Sequence, residues 1–250
     1  MSAYKELAPF YDRLTEDVDH GAFMRFYEEI FDLYGKKPKQ VLDLGCGTGT
    51  LTFLMAEQGY DMIGVDASED MLAEAAMKAY AMEPERRPLF LSQRMEELDL
   101  YGTVEAAVCC LDGLNYVPRD ALAEVFRRLR LFIEPDGLFI FDVNTPYKLR
   151  SLDGQAFVDE TEDVYCVWRA ELDEEEEALC YGMDIFSRAG RRWERDFEEH
   201  VEYIHTPETL TELLENAQFR DIRIFADKKA EDPAEDELRI FIAARNGRTD

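Results

Sequence analysis

The segment VLDLGCGTG at residues 41–49 narrows the fold more than any other stretch of this chain. QVLDLG (40–45) is a short apolar run ended by glycine, the pattern of a strand buried on both faces. Gly45, Gly47 and Gly49 then remove side chains that would hold a ligand off the backbone, and they permit positive φ. A strand that turns through glycines into a helix brings backbone N–H groups and a positive helix end to one point. In a parallel α/β sheet that point lies beyond the carboxyl ends of the strands, where such sheets bind ligands.

The neighbouring sequence alternates as such a sheet requires. Leu51, Leu54 and Met55 suit a helix stopping at Gly59, and DMIGVD (61–66) reads as a second strand. Ser68 is placed to cap a helix, with Glu69 and Asp70 at its positive end and Met71, Leu72, Ala75, Ala76 and Ala79 on its buried face. LFLS (89–92) and VEAAVCCL (104–111) are a third and fourth strand. Pro118 opens a helix carrying Leu122, Val125, Phe126 and Leu129, PDG (135–137) makes a turn, and LFIFDV (138–143) is a fifth strand. Before all of these, residues 1–35 read as helical, with Phe23, Phe26, Tyr27, Ile30, Phe31 and Tyr34 in one stripe ended by Gly35 and Pro38. The fold class is α/β, doubly wound, with right-handed crossovers.

After Asn144 the rhythm changes. Residues 163–172, 178–187 and 192–204 show two-residue periodicity, joined by the acidic run ELDEEEE (171–177) and by a turn at AGR (189–191). This predicts an antiparallel β insertion over 148–205, interrupting a core made of 1–147 and 206–250. Leu179, Tyr181, Met183 and Ile185 give the insertion one apolar face that needs a cover, either as a roof over a substrate site or as a homodimer contact. Thr206 and Pro207 start a helix with Leu210, Leu213 and Leu214, and RDIRIF (220–225) and ELRIFIAAR (237–245) close the chain as strands.

Charge excludes several partners. A net charge of -27 over 250 residues repels phosphate backbones and anionic membranes, so a nucleic-acid substrate is disfavoured. Arg127, Arg128 and Arg130 read as the solvated face of a helix. Five cysteines form no CxxC pair, as expected of reduced, buried thiols. The first residues lack the features of a signal peptide, and no run of apolar residues is long enough to span a bilayer, so a cytoplasmic protein is expected. Three histidines, at 20, 200 and 205, lack the spacing of a metal site, and no metal is expected.

The ligand class follows from spacing. A dinucleotide turn runs GxGxxG, whereas here the third glycine comes one residue early. Asp66 ends the following strand, where a carboxylate can accept both hydroxyls of a ribose. Together these predict a nucleoside ligand without a pyrophosphate. DLGCGTG (43–49), GVD (64–66) and SEDML (68–72) resemble the class I S-adenosylmethionine-dependent methyltransferases.

That resemblance implies a seven-stranded, mostly parallel, Rossmann-like sheet with its last strand antiparallel. It implies S-adenosyl-L-methionine as cofactor and S-adenosyl-L-homocysteine as product. Asp43 and the backbone of Gly45, Cys46, Gly47 and Gly49 would face the methionine portion, and Asp66 the ribose. Met95 would offer its backbone N–H to adenine, and Leu111 and Asp112 would line the methionine end. FYD at 10–12 resembles the family's lid, which makes 1–35 a helical lid with Tyr11 touching the cofactor. Two positions depart from the family pattern: Arg94 stands where an acidic residue often receives the adenine amino group, and Gln218 replaces a glycine.

Methyl transfer from a sulfonium needs alignment, exclusion of water and, for some acceptors, removal of a proton. Acceptor-side candidates are Tyr11, Asn115, Tyr116, Asn144, Tyr147, Trp168 and His200, with Tyr11, Asn115 and His200 in the catalytic roles. His200, between Glu199 and Glu202, reads as a solvated ion pair, or as a base if it is buried beside the sulfonium. The expected activity is methyl transfer to a small-molecule acceptor. A cofactor sensor without catalysis, an interaction protein and a nicotinamide oxidoreductase are the alternatives.

Overall fold

The computed structural model describes residues 4–247. A short helix α1 (Tyr11–Leu14) precedes α2 (His20–Leu33), and then β1 (Gln40–Leu44), α3 (Thr50–Glu57), β2 (Asp61–Asp66), α4 (Glu69–Ala79), β3 (Leu89–Ser92) and β4 (Val104–Cys109) alternate as expected. Then come α5 (Arg119–Phe132), β5 (Ile133–Asn144), α6 (Pro146–Ser151), β6 (Ala156–Glu160), β7 (Val164–Asp173), β8 (Ala178–Ala189) and β9 (Arg192–Tyr203). The described chain closes with α7 (Pro207–Asn216), β10 (Phe219–Phe225) and β11 (Arg239–Asn246).

The larger sheet has seven strands in the order β10-β11-β5-β4-β1-β2-β3. β1 is parallel to β2 and β4, and β11 runs antiparallel to β5 and β10. Strand order reverses at β1, so a crevice opens between the carboxyl ends of β1 and β4. Successive residues of β1 serve opposite faces. Val41 packs beneath α2 and α3 with Tyr27, Ile30, Met55 and Phe241, whereas Leu42 packs with Phe126, Phe139 and Leu214 under α5 and α7. Each such fully buried side chain stabilises the fold by roughly 1.5–3 kcal/mol.

One local expectation fails inside this sheet. PDG does not form a turn before β5; the strand begins at Ile133 and runs through it. Asp136 takes φ +65°, and the register against β4 shifts between Val104 and Ala106. The bulge is fixed by tight packing: a Cβ on Gly137 would lie 2.6 Å from the Glu105 carbonyl.

The insertion is a four-stranded antiparallel sheet, β6-β7-β8-β9. Two of its neighbouring elements escape the sequence reading. α6 is a short helix capped by Thr145, whose hydroxyl accepts from the Lys148 N–H at 3.1 Å. β6 is a mostly exposed edge strand, with Phe157 packed against the insertion's apolar cluster. The hairpin between β8 and β9 is also tighter than the expected AGR turn, because Ala189 pairs with Arg192 and only Gly190 and Arg191 lie between them.

The apolar face of β8 is covered within the chain. Leu7, with Tyr4, Phe10, Tyr11 and Leu14 around it, packs against Met183, Ile185, Val164 and Cys166. Leu149 and Ile204 cover Leu179 and Tyr181. The N-terminal segment is thus sandwiched between insertion and core, and that face has no need of a second copy.

Candidate functional site

The crevice at β1 is built first from backbone. Gly45, Gly47 and Gly49 have φ of +75°, +54° and +79°, so the turn follows a path that side-chain-bearing residues rarely take. Gly45 and Cys46 donate to the Val65 carbonyl at 2.7 and 3.0 Å, tying the turn to β2. Cys46 Sγ lies over Gly64, where an added Cβ would meet it at 2.9 Å. It is a buried filler, with its thiol pushed far up by burial.

Two carboxylates face this turn. Asp66 accepts from the Gly47 N–H and the Ser68 N–H, both at 2.8 Å. Burial raises its carboxyl above the usual range, partly offset by those bonds. Asp43 is 1% exposed and accepts from the Thr52 hydroxyl at 2.5 Å through Oδ2. Its Oδ1 is buried without a partner among the described residues, and burial pushes the carboxyl up to about 7. An unsatisfied buried carboxylate oxygen is costly in an empty protein.

These groups line a cleft of about 600 Å³. Ala67 and Ser68 stand at its β2 end, with Arg94, Met95 and Glu96 beyond β3. Arg94 is held by Glu96 at 2.6 Å, so the carboxylate missing at position 94 stands two residues on. Met95 begins a short turn, and its methyl lies over Gly45.

The N-terminal segment closes one side. Tyr4 and Tyr11 line the cleft, with their rings 5.8 Å apart. Asp12, next to Tyr11, accepts from Thr48 and Thr50 of the glycine turn and pairs with Lys78 of α4 at 2.7 Å. Burial opposes ionisation of Asp12, but these donors outweigh it and hold the carboxyl below its usual range.

The far end of the cleft, after β4, rests on a network that no local motif announces. Leu111 and Asp112 both have positive φ, 55° and 53°. Their N–H groups donate to the carboxylate of Asp142, each at 2.9 Å. Arg239 of β11 bridges Asp142 and Asp112, the latter at 2.7 Å. Leu111 therefore faces the cleft, while Asp112 turns to Arg239 and is not among the cleft-lining residues.

Asn115 is completely buried. Its amide donates to the carbonyls of Asn144 and Tyr203 at 3.3 and 3.0 Å and accepts from the Asn144 N–H at 2.9 Å. Its polar atoms are spent on backbone and do not reach the cleft; Tyr116, next along, does. Asn144 donates to Glu202 at 2.7 Å and accepts from Lys148 at 2.8 Å. Glu202 is pushed up to about 7, by burial first and then by Asp112. Tyr147 is 53% exposed and outside the cleft.

The solvated reading of His200 is wrong. Its ring is 1% exposed, and Nε2 lies 3.0 Å from Glu198, not from Glu199 or Glu202. Glu198, His200 and Glu202 lie opposite Met183, Tyr181 and Leu179 of β8, on the inner face of the sheet. The His200 ring packs edge-on against Tyr4 at 4.6 Å, with Tyr116 and Trp168 farther off at 6.1 and 6.0 Å. Tyr4 separates it from the cleft.

A family model described as a methyltransferase domain matches residues 41–137, the stretch from β1 into β5. A Geobacillus sp. (strain WCH70) protein named as a methyltransferase is 30% identical over 97% of this chain and 99% of its own length. YqeM of Bacillus subtilis (strain 168), of the same description, is 29% identical over 98% of both chains. The crystal structure of an S-adenosylmethionine-dependent methyltransferase from Clostridium acetobutylicum superposes with a TM-score of 0.87 at 26% identity, covering 99% of this chain and 100% of that one. Nothing in these comparisons favours a sensor or interaction role. The likeness extends through lid, core and insertion alike, and the chain belongs to the class I S-adenosylmethionine-dependent methyltransferases, with S-adenosylmethionine as its cofactor.

Proposed function

We propose that the cleft at β1 holds the cofactor and that the methyl acceptor is a small molecule admitted between Tyr4, Tyr11 and Tyr116. The residues fit a cationic nucleoside. Asp43 Oδ1 lacks a donor that a charged amino-acid end would bring nearby, and the glycine turn lets the ligand approach the backbone. Each Asp66 oxygen spends one lone pair on an N–H and keeps another for a ribose hydroxyl.

Met95 N–H is assigned to the adenine, and Leu111 to the methionine end. The cofactor supplies a methyl group already activated on sulfur, so the chain's task is alignment and exclusion of water. Tyr11 is the catalytic candidate that stands on the cleft. Asn115 and His200 act behind it, by holding the loop after β4 and the lid.

The observation that carries the small-molecule reading is the cover. The N-terminal segment, itself packed on the insertion, covers one side of a cleft of about 600 Å³, within the usual size of small-ligand pockets. The charge of -27 argues the same way against nucleic acid. Isothermal titration with S-adenosylmethionine, S-adenosylhomocysteine and NAD, followed by a radiolabelled acceptor panel of small molecules, peptides and RNA, tests the assignment. Tight binding of the two sulfur nucleosides and labelling confined to small molecules are expected. Labelling of RNA or peptide alone would refute the acceptor class while leaving the cofactor site intact.

A further inference from the structure

The lid is fastened twice, and the two fastenings differ. Asp12 ties it to the glycine turn of the core. At its other end, a single carboxylate of the insertion gathers the backbone. Glu198 accepts the N–H of Tyr4 at 3.2 Å, of Glu6 and of Leu7 at 3.3 Å, together with His200 Nε2 at 3.0 Å. It is 7% exposed. Burial opposes its ionisation, but His200 and the amides of Glu6 and Leu7 outweigh that and keep it charged. Four donors on one carboxylate match its acceptor capacity, with none left for water.

We infer that Glu198 is a positioning residue for methyl transfer: through the backbone of residues 4–7 it sets Tyr4 and Tyr11 against the transfer end of the cleft. This rests on the assignment of that cleft to the cofactor. Tyr4 adopts φ +67°, a strained conformation for a tyrosine that needs outside support. The support comes from Glu198 below its N–H and from the rings of His200, Tyr116 and Tyr11 around its side chain. His200 fills the fourth acceptor site of Glu198 and fixes the carboxylate's orientation. Because Glu198 belongs to the insertion, the placing of residues 4–7 beside the cleft depends on that sheet.

The charge is what matters, since an amide oxygen has half the acceptor sites and an amide nitrogen would point N–H at N–H. Glu198→Gln should therefore loosen the lid while the cofactor turn stays intact. The test is a double-mutant cycle of Glu198→Gln with Tyr4→Ala in the full chain, read by titration with S-adenosylhomocysteine. Emission of Trp168, isolated by Trp193→Phe, reports the packing around His200.

Each single variant should weaken binding by about tenfold, and the double variant should be little worse than either, as coupled residues behave. Addition of S-adenosylhomocysteine should change Trp168 emission in the parent and not in Glu198→Gln. Unchanged affinity in a folded Glu198→Gln, or losses that simply add, would overturn the inference. If Glu198→Gln does not fold, Tyr4→Ala carries the test alone: wild-type affinity with an unaltered Trp168 response would overturn it. A parent protein that binds no S-adenosylhomocysteine would instead remove the cofactor assignment beneath it.

Discussion

The two walls of the cleft are made differently. On the core side, the contacts that shape the turn join residues close in sequence: Asp43 to Thr52, nine positions apart, and Asp66 to Gly47, nineteen apart. On the opposite side, after β4 and beneath the insertion, the longest contacts join distant parts of the chain, with Glu198 and Glu6 separated by 192 positions and Arg239 and Asp112 by 127. The core wall is mainly a backbone conformation that glycines permit. The opposite wall is a set of buried charges that hold otherwise unfavourable backbone in place. A glycine turn can be written as a contiguous motif, whereas a wall of buried charges is assembled from wherever the fold supplies a partner.

The comparison is most exposed at Arg239. Asp142 is fully buried and Asp112 partly so, and Arg239→Ala would strip both of the guanidinium that bridges them. Breaking a buried ion pair this way costs about 3–5 kcal/mol. For a chain of this size that lowers Tm by roughly 6–20 °C, readable by calorimetry. The positive φ of Leu111 and Asp112 depends on the same network, so their amides should also lose hydrogen-exchange protection. A Tm within a degree or two of wild type would show that this loop holds its shape without the long-range charges.

The next largest effect belongs to the core wall. Asp66→Ala removes a carboxylate whose charge-assisted hydrogen bonds are worth about 1.5–3 kcal/mol each. Affinity for S-adenosylhomocysteine should fall by about tenfold or more in isothermal titration. The expected cost to Tm is smaller than at Arg239, because Asp66 is only partly buried. If stability collapsed and affinity survived, the roles given to the two walls would be exchanged.

Asp43 separates the walls by pH. Its folded carboxyl titrates near 7, above the unfolded value, so the folded protein holds this proton more tightly. The resulting stability is present at low pH and is lost as pH rises from about 4 through 7. Cofactor binding should run the other way, since a cationic ligand favours the ionised carboxylate. Affinity should rise by up to about tenfold between pH 6 and pH 8, with proton release on binding. Titrations in buffers of different ionisation enthalpy measure that release. Asp43→Asn should flatten both trends, and this separates Asp43 from Glu202, which also titrates near 7. A parent whose affinity ignores pH would show that Asp43 does not feel the cofactor's charge.

How far the sequence spoke follows the same division. VLDLGCGTG, DMIGVD and SEDML predicted β1, β2, the cap of α4 and their parallel pairing, because buried strands, glycine turns and caps are local chemistry. The inner face of β9 was hidden for two reasons. Hydropathy points the wrong way there, since Phe197 is exposed while Glu198, His200 and Glu202 are buried.

The register also hangs on one residue. An AGR turn of three pairs Arg188 with Arg192 and places Phe197 inward; the actual two-residue turn pairs Ala189 with Arg192 and reverses every side chain. Arg239, in ELRIFIAAR, carries no local signal of its partners, which the pairing of β11 with β5 brings to it. Buried polar side chains that break the local pattern are where sequence rules are expected to fail, and here they cluster behind the end of the cleft that follows β4.

The smallest predicted effect tests whether this distinction stops at the inner face of the insertion. Trp193 is 48% exposed on β9, with the Arg188 guanidinium 5.9 Å over its ring. An exposed cation–π contact contributes on the order of 0.5–1 kcal/mol, and phenylalanine keeps part of it. Trp193→Phe should therefore leave stability within about 0.5 kcal/mol of the parent and leave affinity for S-adenosylhomocysteine unchanged. Denaturant melts and titration measure both. A clear loss of affinity would mean that the outer face of the sheet is coupled through β9 to the N-terminal segment, and the long-range wall would then extend through the full thickness of the insertion.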